Sequence, residues 1–172
     1  MKTKNFNLTC RMVVLCIIAL TFIFSNNLQA QVTESSGQDL VLHKDNTGKL
    51  GFADKQGKVV ISCKYETAFE FDGNLAFVRL DKKWGMIDKT GKTVVPHKYE
   101  MLGLAIRNGG LQVFCDGFAR VQLNGKWGYL DKTGSEVISC IYDEAGDFSN
   151  GIATVKLNDE SFKIDKSGKR VD

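Results

Sequence analysis

The sequence predicts an all-β repeat array of four three-stranded antiparallel β-meander units, stacked as an open, solenoid-like structure. Closure of the same units into a small four-bladed propeller-like ring is the alternative. Three observations predict this class. The stretch Lys-Trp-Gly-x-x-Asp-Lys-Thr-Gly stands at residues 83–91 and again at residues 126–134. Columns of single residues recur at shared intervals of 34, 43 and 34: Gly51, Gly85, Gly128 and Phe162; Asp54, Asp88, Asp131 and Asp165; Gly57, Gly91, Gly134 and Gly168. Short segments alternate apolar and polar residues at period two, and no window carries the i, i+3, i+4, i+7 recurrence of an amphipathic helix. Self-similarity at a fixed period predicts architecture directly, because each unit buries its apolar face only against a neighbour.

The chain begins with Lys2, Lys4 and Arg11 ahead of an apolar run at residues 12–24, then polar residues and Leu28-Gln29-Ala30. That order predicts a secretory signal peptide over residues 1–30, with cleavage after Ala30. The apolar run falls short of the roughly 20 residues that span a bilayer as a helix. Cys16 follows Leu15 rather than a small residue, which argues against a lipid anchor there. A short polar leader, residues 31–39, precedes a single β domain at residues 40–172. Without residues 1–30 the chain carries 20 Lys+Arg against 20 Asp+Glu, so the basic balance of the whole sequence belongs to the signal segment. A balanced chain has no electrostatic footprint for nucleic acid and no polybasic stretch for a membrane surface. Three cysteines remain: Cys63, Cys115 and Cys140.

Within a unit, the first strand contains the Trp-Gly pair, and two positions after the glycine stand Ala53, Ile87, Leu130 and Ile164. The second strand carries a valine three positions after the turn glycine: Val60, Val94, Val137 and Val171. The third alternates, with Ala76/Val78/Leu80, Ala119/Val121/Leu123 and Ala153/Val155/Leu157 on one face and Arg79, Arg120, Gln122, Thr154 and Lys156 on the other. Asn124-Gly125 joins a third strand to the next first strand. This dipeptide favours the type I′ hairpin, in which both central residues take positive φ. Asp81-Lys82 and Asn158-Asp159 occupy the same place. The glycines at 91, 134 and 168 close the following hairpin. Third, first and second strands thus form groups at about residues 40–62, 75–97, 118–140 and 152–171.

Longer connections, such as residues 65–74 and 142–151, link the groups, and their repeated Tyr and Phe are expected to plug the gaps between them. Asn74 stands where Gly117 and Gly151 stand, which predicts positive φ at Asn74. Tyr65, Tyr99 and Tyr142 recur at 34 and 43, which places nine extra residues between Tyr99 and Phe114. Residues 104–113 read as an added hairpin turning at Asn108-Gly109.

The succession Trp84-Gly85, Asp88 to Gly91, Tyr99-Glu100 and then Phe114 to Ala119, repeated as Trp127-Gly128, Asp131 to Gly134, Tyr142-Asp143 and Phe148 to Ala153, resembles the bacterial WG-repeat family, also called KWG-repeat. The family's Pro-Pro before the tyrosine is reduced here to Pro96, with Ser62 and Ser139 in its place. Leu50 replaces the first tryptophan, and Ser161-Phe162 replaces the last Trp-Gly. The resemblance implies an exported or cell-envelope protein that mediates interactions, with no catalytic activity to carry over.

The aspartate column invites a cation-site reading. An Asx-type turn, in which each carboxylate accepts backbone N–H groups of its own hairpin, explains the spacing better. Calcium loops need several oxygen ligands close together, which Asp-Lys-Thr-Gly does not supply. Cys63, His97 and Cys140 form another column; no short-range Cys pair accompanies them, so they are read as packing positions rather than metal ligands. Trp84 and Trp127 offer a sugar- or peptide-stacking surface or a packing surface. The last copy decides for packing: Leu50/Phe52, Trp84/Met86 and Trp127/Tyr129 are apolar, whereas Ser161/Lys163 suit a solvent-facing cap. The glycine beside each tryptophan is expected to lie under a neighbouring aromatic. Catalysis has little support, with His43 and His97 the only histidines and no nucleophile, phosphate-loop or zinc-protease motif. No cofactor is implied. The insertion is where the repeat breaks, and insertions in repeat arrays collect on one face and mark partner sites. Ile106, Arg107, Asn108 and Leu111 are its candidate binding residues, the expected partner being another protein. A carbohydrate- or cell-wall-binding, lectin-like module using the aromatics is the alternative.

Overall fold

The computed structural model describes residues 39–107 and 109–171, and every regular element among them is a strand. The expected signal segment at residues 1–30, its cleavage after Ala30 and the leader up to residue 38 lie outside the described residues.

The first sheet joins β1 (Val41–Lys44), β2 (Leu50–Ala53) and β3 (Val59–Tyr65). The second joins β4 (Thr67–Ala68), β5 (Leu75–Leu80), β6 (Lys83–Asp88) and β7 (Thr93–Tyr99). After β8 (Met101–Leu102) the insertion forms its own hairpin, β9 (Ala105–Arg107) and β10 (Gly110–Gln112), paired to no other strand. The third sheet joins β11 (Phe114–Cys115), β12 (Phe118–Leu123), β13 (Lys126–Asp131) and β14 (Glu136–Tyr142), and β8 also pairs with β12. The last joins β15 (Glu144–Ala145), β16 (Ile152–Leu157) and β17 (Glu160–Asp165). All pairings are antiparallel.

The four expected groups are present, with three differences. The connections are not only loops: β4, β8 and β15, two residues each, pair with the outer strands β5, β12 and β16. The second strands run on through the tyrosines. In the last sheet that strand is reduced to a bridge between Ile164 and Arg170.

Three apolar clusters hold the stack. Phe52, Ile61 and Tyr65 of the first sheet meet Ala76, Val78 and Ile87 of the second. Phe77, Met86, Val95 and Tyr99 of the second meet Ala119, Val121 and Leu130 of the third. Tyr129, Ile138 and Tyr142 of the third meet Ala153, Val155 and Ile164 of the fourth. The same two faces meet each time, head to tail, and none of these clusters joins the last sheet to the first. The array is open. Its last face ends on exposed Ser161 and Lys163, where the three preceding units bury Phe52, Met86 and Tyr129. A polar outer face of this kind is what a capping repeat carries for solubility.

The recurrent valines face solvent: Val60, Val94 and Val137 are exposed, while the adjacent Ile61, Val95 and Ile138 are buried. Their recurrence reflects β-branched preference for an extended backbone rather than burial. Each buried neighbour receives the turn glycine of the next unit, since Gly91, Gly134 and Gly168 lie against Ile61, Val95 and Ile138 respectively.

The tight hairpins turn as expected, with positive φ at both central residues: 53° and 74° at Asn124 and Gly125, 49° and 62° at Asp81 and Lys82, 50° and 64° at Asn158 and Asp159. Asn74 does not follow the expectation. Positive φ falls on Gly73 (66°) instead, the arrangement of a II′-type turn, in which glycine takes the first central position. At the equivalent turns, Asp116 with Gly117 and Asn150 with Gly151 are all positive.

Candidate functional site

The repeated residues first account for themselves as scaffold. In each Asp-x-x-Gly turn one aspartate Oδ1 accepts two backbone amides. Asp131 takes those of Thr133 (2.8 Å) and Ser135 (3.0 Å) and the Thr133 hydroxyl (2.6 Å), and its own carbonyl accepts from Gly134 N–H (3.0 Å). Asp54, Asp88 and Asp165 make the same amide bonds. A fifth copy occurs at Asp45, in the hairpin between β1 and β2, where sequence spacing gives no sign of it because it lies off the column. The Thr or Ser hydroxyl, followed by backbone amides, holds the carboxyls of Asp45, Asp88, Asp131 and Asp165 below their usual 3.8. A depressed folded pKa contributes stability that is present above the unfolded value and lost as pH falls through the folded one. The urea midpoint is therefore expected to hold from pH 7 to about pH 5 and to drop below about pH 4. Asp131→Asn should lower the midpoint at pH 7 and shrink its acid dependence; an unchanged acid limb would contradict this assignment.

The glycine of Trp-Gly has a different role from the one expected. What lies against it is chiefly backbone, joined at Gly85 by the ring of His97. Trp127 pairs with Tyr142 and Tyr129 with Ile138, so Ser139, Cys140 and Ile141 bulge opposite Gly128. A Cβ on Gly128 would lie 2.6 Å from the Ile138 carbonyl oxygen and 2.7 Å from the Cys140 nitrogen. A Cβ on Gly51 would meet the Ile61 carbonyl oxygen and the Cys63 nitrogen in the same way, and one on Gly85 would meet the Val95 carbonyl oxygen at 2.6 Å and, at 3.0 Å each, the His97 nitrogen and its ring Cγ. Only glycine permits such an approach. The residue that starts each bulge, Ser62, Pro96 or Ser139, leaves the ladder, which is where proline is tolerated in a sheet.

Trp84 and Trp127 are half-buried against these clusters, Trp84 beside Phe69 (5.7 Å between centroids) and Trp127 under the Arg120 guanidinium (5.6 Å). In the Cys63, His97 and Cys140 column, the Cys63 thiol points to the His43 carbonyl (3.8 Å) and the Cys140 thiol to the Val121 carbonyl (3.7 Å). His97 stacks on Tyr65 (6.3 Å). Burial lowers the His97 pKa and pushes the Cys140 thiol up to about 11, which keeps that cysteine protonated and unreactive.

The insertion exposes large apolar side chains that the scaffold does not use, although Ala105 is buried and Val113 packs against a cluster. Ile106 and Leu111 face each other across the β9–β10 hairpin, 80% and 61% exposed. Gly109 takes positive φ (78°) at the expected turn. Asn108 and the Arg107 side chain lie outside the described residues. Before the hairpin, Met101–Leu102 belongs to the scaffold through β12, and Leu102 is buried. Beside it runs a cleft of about 610 Å³, walled by Leu42 of β1, residues 68–72, Leu75 and Phe77, residues 111–114, and Lys132. Phe69, Phe71 and Phe114 give it an apolar floor, and Glu70, Asp72 and Lys132 add charge. Lys132 is already committed to both oxygens of Asp72 (3.0 and 2.9 Å). Sequence reasoning missed this cleft, because its walls come from four separated segments.

No curated protein matches the chain. The model of the WG containing repeat matches three consecutive segments, residues 51–84, 84–127 and 127–160. Those segments run from one Trp-Gly position to the next, with Leu50-Gly51 and Ser161-Phe162 standing at the two ends, so each sequence repeat spans the end of one sheet and the start of another. Together they cover well over half of the sequence, and the chain belongs to the WG containing repeat family.

Proposed function

We propose that this is an exported, non-enzymatic repeat module of the bacterial cell envelope or its surroundings, which captures another protein through the insertion hairpin. The carrying observation is the Ile106–Leu111 pair, two large apolar side chains opposed on a hairpin paired to no other sheet. Aliphatic side chains at such exposure mark an interaction surface when they cluster beside an apolar cleft. The half-buried setting of Trp84 and Trp127, each with a ring face occupied, favours protein over carbohydrate as the partner. Export rests on residues 1–30 alone.

Deleting residues 105–113 joins Leu104 to Phe114, as Asp147 is joined to Phe148 in the uninterrupted connection. The shortened protein is expected to keep its circular dichroism spectrum and to lose partner capture in a pull-down from its own source. Ile106→Ser with Leu111→Ser should do the same. Undiminished capture by both would refute this reading.

A further inference from the structure

The repeats supply their own reference for the cleft beside the hairpin. Between the third and fourth sheets, Arg120 of β12 reaches across to the connection that follows β14. Its Nε donates to Asp147 Oδ1 (2.7 Å) and its Nη1 to the Ala145 carbonyl (2.6 Å). The equivalent residues elsewhere follow from strand register. Arg120 pairs with Tyr129 as Phe77 pairs with Met86 and Leu42 with Phe52, so Leu42, Phe77 and Arg120 share one position. Ala145 pairs with Val155 as Leu102 pairs with Val121 and Ala68 with Val78, so Ala68, Leu102 and Ala145 share another. Two residues further on stand Glu70, Leu104 and Asp147.

The residues at these positions match in two junctions and not in the third. Between the third and fourth sheets the pair is Arg120 with Asp147, and between the second and third it is Phe77 with Leu104. Between the first and second it is Leu42 with Glu70: the carboxylate is kept and the guanidinium is gone. Among the described residues no ion pair or hydrogen bond reaches Glu70, and Lys132 is held by Asp72. The leader at residues 31–38 contains no Lys or Arg to fill the position. Leu42, Ala68 and Glu70 all line the cleft, opposite Leu111, Val113 and Phe114 from the insertion side, with Phe69, Phe71 and the Asp72–Lys132 pair completing its walls.

We propose that this cleft is an arginine-binding slot: it takes an apolar segment of a partner protein whose arginine occupies, at Glu70 and the Ala68 carbonyl, the place that Arg120 fills at Asp147 and Ala145. This rests on the hairpin reading above for its apolar wall. Arginine rather than lysine is specified because Arg120 divides two nitrogens between a carboxylate and a carbonyl, a fork that a single ammonium does not reproduce.

The test uses fluorescein-labelled Ser-Val-Leu-Arg-Val-Ser and the same peptide with citrulline, a neutral isostere, or lysine in place of arginine, titrated by anisotropy into the mature domain. The arginine peptide is expected to bind about tenfold tighter than the citrulline peptide, the scale of one hydrogen-bonded charge. The lysine peptide should fall between them. Glu70→Gln should remove the difference. Leu42→Arg, which supplies the missing guanidinium within the chain, should fold with an unchanged or raised thermal midpoint and abolish binding. Equal affinity for arginine and citrulline, an unaffected Glu70→Gln variant, or no binding at millimolar protein would each overturn the slot. The hairpin reading is judged separately with the 105–113 deletion. Peptide affinity that depends on Glu70 but survives the deletion keeps the slot and refutes the hairpin; affinity lost on deletion but indifferent to Glu70 does the reverse.

Discussion

Gly128→Ala is expected to remove about 3 kcal/mol or more of stability, the upper end of overpacking effects and a large part of the total for a domain of this size. The added methyl would stand 2.6 Å from the Ile138 carbonyl oxygen, 2.7 Å from the Cys140 nitrogen and 2.8 Å from the Ser139 carbonyl carbon. All three are backbone atoms, so no rotamer change relieves the clash. Relief requires the bulge at residues 139–141 to withdraw, and that bulge returns Tyr142 to register with Trp127. Tyr142 is buried in the cluster joining the last two sheets, so the local clash spreads into the stack. Gly125→Ala is the control: nothing lies within 4 Å of its Cβ position, and only the positive φ of 74° resists. Its cost is expected at about 1–2 kcal/mol. Urea denaturation of the two variants compares them directly.

Tyr129→Ala is expected to cost about 3–5 kcal/mol, the range for truncating a large buried aromatic. Tyr129 is fully buried, its ring meets Phe148 edge-on at 4.8 Å, and its hydroxyl donates to the Gly146 carbonyl at 2.8 Å. Truncation leaves a cavity between the third and fourth sheets and strips the carbonyl of its partner. In an array whose units touch only neighbours, the loss falls first on the terminal unit. Hydrogen exchange should therefore show amides of β16 and β17 losing protection while those of β2, β3, β5 and β6 keep theirs. Uniform loss across all four sheets would contradict stacking by nearest-neighbour contacts.

Much of this was legible in the sequence, and the reasons differ by element. The Asp-x-x-Gly turns and the Asn124-Gly125 hairpin were readable because a few adjacent residues decide their conformation, so local chemistry suffices. Stacking faces were readable because alternation repeats three times. The cover over Gly51, Gly85 and Gly128 was not: the number of residues between Trp and Tyr does not say which of them leave the ladder, and a three-residue bulge is equally consistent with a longer turn. Two-residue strands such as Thr67–Ala68 lie below any periodic signal. At Asn74, homology between repeats misled, because a glycine one position earlier had taken over the positive φ. The insertion was visible as a break in spacing, and the structure forms it as the hairpin that carries Ile106 and Leu111. The cleft was invisible, since it unites Leu42, residues 68–72, residues 111–114 and Lys132 only after stacking.

The repeated motif and the inserted hairpin thus have separate employments. The Lys-Trp-Gly segment sets register: Lys83 pairs with Glu100 at 2.7 Å, and Lys126 pairs with Asp143, next to the buried tyrosine of its unit. These pairs are half-exposed and screened by solvent, so the glycine under its bulge, not the lysine, is the dominant constraint. Hairpin β9–β10 contributes almost nothing to the three clusters; only Val113 beyond it packs against one of them.

Urea midpoints measured side by side for Gly128→Ala and for the protein lacking residues 105–113 put this division to its most direct test. Addition of one methyl group in the motif should collapse the midpoint, whereas removal of the whole insertion should cost about 1 kcal/mol. An insensitive Gly128→Ala, or a deletion that unfolds the array, would contradict it.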